Sequence, residues 1–335
     1  MIEPGLMRRI LAIDGGGIKG VFAAGFLARI EELLGLRAVE HFDLVAGTSA
    51  GGMIALSLGL GQDTAASLQR YEEGAPRIFR SAGWFSQIRR MLTSKYSTAP
   101  LRRELIGHFG DARIGNSLTR LLIPTLDVSA NRVHIYKTSH HPTLFHDISA
   151  TAFEVVLAAV AAPTYFPLYR TRDGAAMVDG SLWAHNPSLL AVIEAMSLLD
   201  WPREEINVLS IGTPPEELSW GKGGSPHIGA YQASFDLANL FTNAQQVSAT
   251  VNCRQLLGAN QVVRIEPSSG LRNVPLDGVD AIPYLKYLGM LEAERQAEMV
   301  QALFFREPAV PFTPCHRLGT QDARQADRRP AATGT

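Results

Sequence analysis

The stretch that most limits what this chain can become is 42–52, FDLVAGTSAGG. An apolar run of strand length ends in Gly47-Thr48-Ser49-Ala50-Gly51 and passes into a helix-compatible segment, 53–58. The small residues two before and two after Ser49, Gly47 and Gly51, permit the tight turn of a G-x-S-x-G elbow, which displays a hydroxyl at the end of a strand. Short Gly/Ser motifs recur by chance, so the weight comes from their company. Upstream, 9–13 is a second apolar run, and it also ends in glycine: Asp14-Gly15-Gly16-Gly17-Ile18-Lys19-Gly20. Val21, Phe22, Leu27, Ile30 and Leu34 then recur at helical spacing, with Arg29, Glu31 and Glu32 on the other side. Two strands joined by one helix predict a right-handed parallel crossover.

The rest of the chain continues the alternation. Strand-like runs fall at 120–128, 132–136, 177–178, 206–211 and 261–265. Helical patterns cover 153–162, stopped by Pro163; 187–199, with Asn186 at the cap and Pro187 at the first position; 230–257; and 279–304. This predicts an α/β chain with a mostly parallel sheet covered on both faces. At 335 residues and 46% hydrophobic content it can bury a full core, read as one domain over 1–310. From 311 the composition turns polar, and 311–335 is read as a disordered tail. Residues 213–229 form a Gly/Pro-rich loop with Trp220, a lid or a surface excursion.

Charge and cysteine usage narrow the function classes. The 31 Lys and Arg against 32 Asp and Glu give a formal charge of -1, so no global basic field favours a nucleic-acid polymer. Cys253 and Cys315 have no Cys-x-x-Cys spacing, which argues against a disulfide framework or zinc site and for a reducing compartment. The first apolar run is broken at once by Asp14, unlike a signal peptide, so the expected location is cytoplasmic. Residues 44–62 are uncharged and of membrane-span length but carry five glycines, which favours a buried turn and packed helix over a spanning helix. Between 77 and 103 lie Arg77, Arg80, Arg89, Arg90, Lys95, Arg102 and Arg103 without an acidic residue. Such a segment suits an anionic membrane surface or a phosphate-bearing ligand, and equally a solvated helical face.

Open α/β sheets gather their ligands at the carboxyl ends of parallel strands, so the glycine turn at 15–17 and Ser49 should be neighbours. The amides of Gly15, Gly16 and Gly17, at a helix N-terminus, could hold the oxyanion formed when Ser49 attacks a carbonyl. The same glycines match the G-x-G-x-x-G of a dinucleotide fold. That fold requires an acidic residue at the end of the second strand, where this chain has Gly47-Thr48-Ser49, with Asp43 at the strand's beginning. A P-loop lacks its Gly-Lys-Ser/Thr. Ser49 needs a base, and none of the nine histidines stands in a motif that singles it out. Asp179, in Met177-Val178-Asp179-Gly180-Ser181, is the stronger candidate, provided burial lifts its pKa; its alternative is a plain Asp-Gly turn.

In this order, Asp14 to Gly20, Gly47 to Gly51 and Asp179-Gly180 resemble the three signature blocks of patatin-like phospholipases. Ser94 to Ser97, Ala161 to Pro167 and Trp183 to Ser188 are further similar stretches. The resemblance implies a three-layer α/β/α fold and a serine acyl hydrolase cleaving fatty-acyl esters of membrane glycerophospholipids. It makes Ser49 the nucleophile, Asp179 the base, Gly15, Gly16 and Gly17 the oxyanion hole, and Lys19 a supporting residue of that loop, with no metal and no cofactor. Ser181 stands where the family usually has Gly or Ala, and could hydrogen-bond the carboxylate. Similarity to the bacterial branch switched on by nucleotide second messengers in anti-phage defence implies further partners. These are a phospholipid surface at the inner membrane, a cyclic-nucleotide activator and a homo-oligomer. A catalytically weak lipid- or nucleotide-binding regulatory module on the same fold is the alternative.

Overall fold

The computed structural model describes residues 7–79, 94–213, 230–267 and 274–319. Both apolar runs at the start are strands buried along nearly their whole length, β1 (Arg8–Ile13) and β2 (Leu44–Gly47). Burial on both faces is why they read as continuous hydrophobic runs rather than as alternation. They are parallel, with Ile10 opposite Leu44 and Ile13 opposite Gly47, and the crossover helix α1 (Gly20–Leu34) lies between them in sequence. Successive β1 side chains part to opposite faces: Leu11 and Ile13 join one core, Ile10 the other.

The remaining strands are β3 (Arg120–Asp127), β4 (Arg132–Lys137), β5 (Tyr169–Arg170), β6 (Ala176–Asp179), β7 (Ile206–Ile211) and β8 (Val262–Ile265). Among the described residues they form one eight-stranded sheet along the path β5-β6-β3-β2-β1-β7-β8, with β4 also on β3. β3, β2, β1, β7 and β8 are parallel; β4 and β6 pair antiparallel with β3, and β5 antiparallel with β6. Register on β3 decides where the site forms. β4 occupies one edge from Leu122 to Asp127, so β2, opposite residues 120–122, and β6, opposite 125–127, must share the other edge. They run in opposite senses, and their carboxyl ends therefore meet, β2 delivering Ser49 and β6 delivering Asp179.

The other α-helices among the described residues are α2 (Ala50–Gly59), α3 (Thr64–Ile78), α4 (Thr98–Phe109), α5 (Ala152–Ala159), α6 (Ser181–Ala184), α7 (Ser188–Ser197), α8 (Ala230–Leu257) and α9 (Ile282–Phe304). α1, α2 and α5 bury their apolar faces in one core, α7 and the end of α8 in the other, giving the α/β/α layering. The sequence pattern loosens past Gly61, yet α3 forms there, capped by Asp63 accepting from the Ala66 amide at 2.7 Å. Of the basic segment, 80–93 lies outside the described residues, as does all of the 213–229 loop but Thr213. In the described part, Arg77 pairs with Glu104 on α4 at 3.0 Å, and Lys95 binds Asp277. The stretch read as a tail from 311 runs against the body through 319, where the Cys315 amide donates to Ser139 O at 2.7 Å. Among the described residues, no helix is long and apolar enough to cross a membrane.

Candidate active site

Ser49 sits at the N-cap of α2 with φ 53° and ψ -122°, a strained backbone for a residue with a side chain. Neither glycine of the turn has room for a Cβ: one on Gly47 would run into Gly51 O, and one on Gly51 into Ile13 O at the end of β1. The Thr48 amide donates to Ile13 O at 3.1 Å and its hydroxyl to Ala184 O at 2.6 Å, fastening the elbow to both neighbouring elements.

From this turn Ser49 Oγ donates to Asp179 Oδ2 at 2.6 Å. Asp179 is buried, and burial pushes its carboxyl well above the ordinary carboxylate range; the bonds from Ser49 and from the amide and side chain of Ser181 pull the other way. The Ser181 amide donates to Oδ1 at 2.8 Å, so both carboxylate oxygens are held. A hydroxyl bonded to a buried carboxylate of raised pKa can hand over its proton as it attacks an electrophile.

The glycine turn lies alongside, with one difference from expectation. The Gly15 amide donates to His185 O at 3.0 Å and is committed, whereas Gly16 and Gly17 have no acceptor among the described residues and line the same cavity as Ser49. The two later amides, not all three, are available to an oxyanion. Gly17 has φ +56°, and a Cβ there would meet Leu276 O. The loop is tied from four sides: Ile18 amide to Leu276 O at 2.8 Å, Tyr71 hydroxyl to Gly17 O at 2.6 Å, Thr213 hydroxyl to Gly15 O at 2.8 Å, and Asp14 beneath. Asp14 is fully buried and takes a bidentate pair from Arg264 at 2.9 and 2.6 Å and a bond from Gln246 at 2.8 Å.

Lys19, buried at the end of the turn, also lines the cavity. Burial first, then the charges of Lys19 and Arg264, push His185 down to about 3, so this imidazole stays neutral. Among the described residues, no group of three or more His, Cys, Asp or Glu side chains is gathered as metal ligands.

A family description, patatin-like phospholipase, matches residues 11–192, more than half of the chain. A cGAMP-activated phospholipase of Pseudomonas aeruginosa is 36% identical over 257 residues, covering 75% of this chain and 76% of the relative. The chain belongs to the patatin-like phospholipase family. Cyclic-GAMP-activated phospholipases of Escherichia coli, 28% identical over 91% of this chain and 94% of theirs, and of Vibrio cholerae, 32% identical over 63% and 65%, are also similar. Within this patatin-like chain the sequence reading missed the residues that hold the loop: Tyr71, Thr213, Gln246 and Arg264. Arg264 left a trace, a cation inside the apolar run 261–265; Tyr71 left none, because α3 itself was not legible.

Proposed function

We propose that this patatin-like chain is a serine acyl hydrolase cleaving fatty-acyl esters of membrane glycerophospholipids, with Ser49 as nucleophile and Asp179 as base. The observation that carries the reading is the 2.6 Å bond from Ser49 Oγ to a buried carboxylate of raised pKa. Asp179 takes the hydroxyl proton as Oγ attacks the ester carbonyl, and the Gly16 and Gly17 amides receive the developing oxyanion. The intermediate collapses, the lysolipid oxygen leaves with the proton from Asp179, and the acyl group stays on Ser49. Asp179 then deprotonates a water, which attacks the acyl ester; the intermediate collapses to the fatty acid, and Asp179 returns the proton to the departing Ser49 Oγ. A largely apolar cavity of about 1020 Å³ opening on Ser49 supports a lipid substrate.

The names of the bacterial relatives support activation by a cyclic nucleotide, cGAMP in their case. In this reading the protein is cytoplasmic and docks on the inner membrane surface when active. The test is fatty-acid release from phospholipid vesicles with and without cGAMP. Ser49→Ala and Asp179→Asn are expected to lower kcat roughly a thousandfold or more. Retained nucleotide binding with no difference between wild type and Ser49→Ala would instead assign a regulatory module.

A further inference from the structure

The cavity that opens on Ser49 runs into the layer of α2, α3, α4 and α5. Its wall on α2 is one stripe, Ala50, Met53, Ile54, Ser57 and Leu58, at the three- and four-residue steps that share a helix face. Tyr71, Ala75 and Ile78 of α3 face it, with Leu101 and Leu105 of α4 and Val156 of α5. Polar groups gather toward the carboxyl end of α2. Ser57 Oγ and His108 Nε2 are 2.8 Å apart, Gln62 donates to His108 O at 3.1 Å, and Arg70 donates to Gly107 O at 3.2 Å. Burial first, and then the charge of Arg70, hold His108 down at about 4, so the Ser57–His108 pair itself is polar but uncharged at neutral pH. Ser57 lies eight residues beyond Ser49, roughly 12 Å along the helix.

We propose that Ser57 and His108 form the floor that sets acyl-chain length: the acyl group carried by Ser49 lies along the α2 stripe with its methyl end at their hydrogen bond. The inference rests on the acyl-hydrolase reading above. Each methylene up to the floor exchanges water for apolar wall, and in an apolar pocket one such group is worth about 10- to 200-fold in discrimination. Carbons beyond it would press against polar groups already bonded to one another, and gain nothing.

The experiment measures kcat/KM over a homologous series of esters from butyrate to stearate. Ser57→Leu, which fills the end, is expected to lower the long-to-short ratio about tenfold or more. Ser57→Ala with His108→Leu, which makes the floor apolar and roomier, is expected to raise it. Ile54→Phe, nearer Ser49, should cut the profile shorter still and serves if Ser57→Leu does not fold. Folded variants whose ratios stay within about twofold of wild type overturn the floor. A wild type inert across the series and unlabelled by a fluorophosphonate removes the hydrolase reading and the floor with it; an active wild type with unmoved ratios removes the floor alone.

Discussion

Asp179 combines a charge requirement with burial that opposes the charge. Its folded pKa lies above the unfolded one, so its contribution to stability is present while it is protonated and is lost as pH rises through the folded pKa. Asp179→Asn is therefore expected to raise the urea midpoint at neutral pH, with the gain shrinking toward acid; equal midpoints at neutral pH would contradict the buried charge. Ser181 acts on the same carboxylate, because its hydrogen bonds favour the ionised form. Removing the hydroxyl raises the pKa, so Ser181→Ala should move the acidic limb of the kcat/KM profile to higher pH, and a limb that moves down would refute the assignment. The residue that departs from the family pattern is thus the one expected to lower the pH at which the site works.

At the scale of elements, the glycine turn is held by partners drawn from distant parts of the chain. Arg264 on β8 pairs with Asp14 at the end of β1 with almost no exposure on either side. Removing one partner strands a buried charge, so Arg264→Met is expected to cost about 3–5 kcal/mol by denaturant unfolding. Asp14→Asn added to it should recover part of that loss, and a simple sum of two losses would count against the pair. Tyr71 reaches from α3 to Gly17 O. Tyr71→Phe should cost about 0.5–1.5 kcal/mol in stability and lower kcat more than it raises KM, because it loosens amides needed only when charge develops. A rise in KM alone would make Tyr71 a wall of the cavity and nothing more.

Across the whole molecule, a ligand that binds the folded chain must stabilise it. If cGAMP is the activator, a hundredfold excess over its Kd should add about 2.7 kcal/mol, read as a rise in Tm; vesicle hydrolysis without any such rise would reject cGAMP. What could be read without the structure was local. Glycines at 15–17, 47 and 51 state where a backbone must turn sharply, and apolar runs at 9–13 and 42–46 state which strands are buried on both faces. Those two facts are enough for a parallel pair with a serine elbow at its edge. Asp179 was visible as a candidate, but its distance from Ser49 was not. That distance depends on β2 and β6 sharing one edge of β3 in opposite senses, which brings together Ser49 and Asp179 from positions 130 residues apart in the chain. The commitment of the Gly15 amide to His185, and the lift in the Asp179 pKa, depend on the same assembly. Sequence by itself determined the turns, the buried strands and the types of residue at the site, because these follow from backbone freedom and local patterning. Only the tertiary structure decided which amides stay open and which carboxylate meets the serine, because hydrogen-bond partners and desolvation exist only once distant segments have packed.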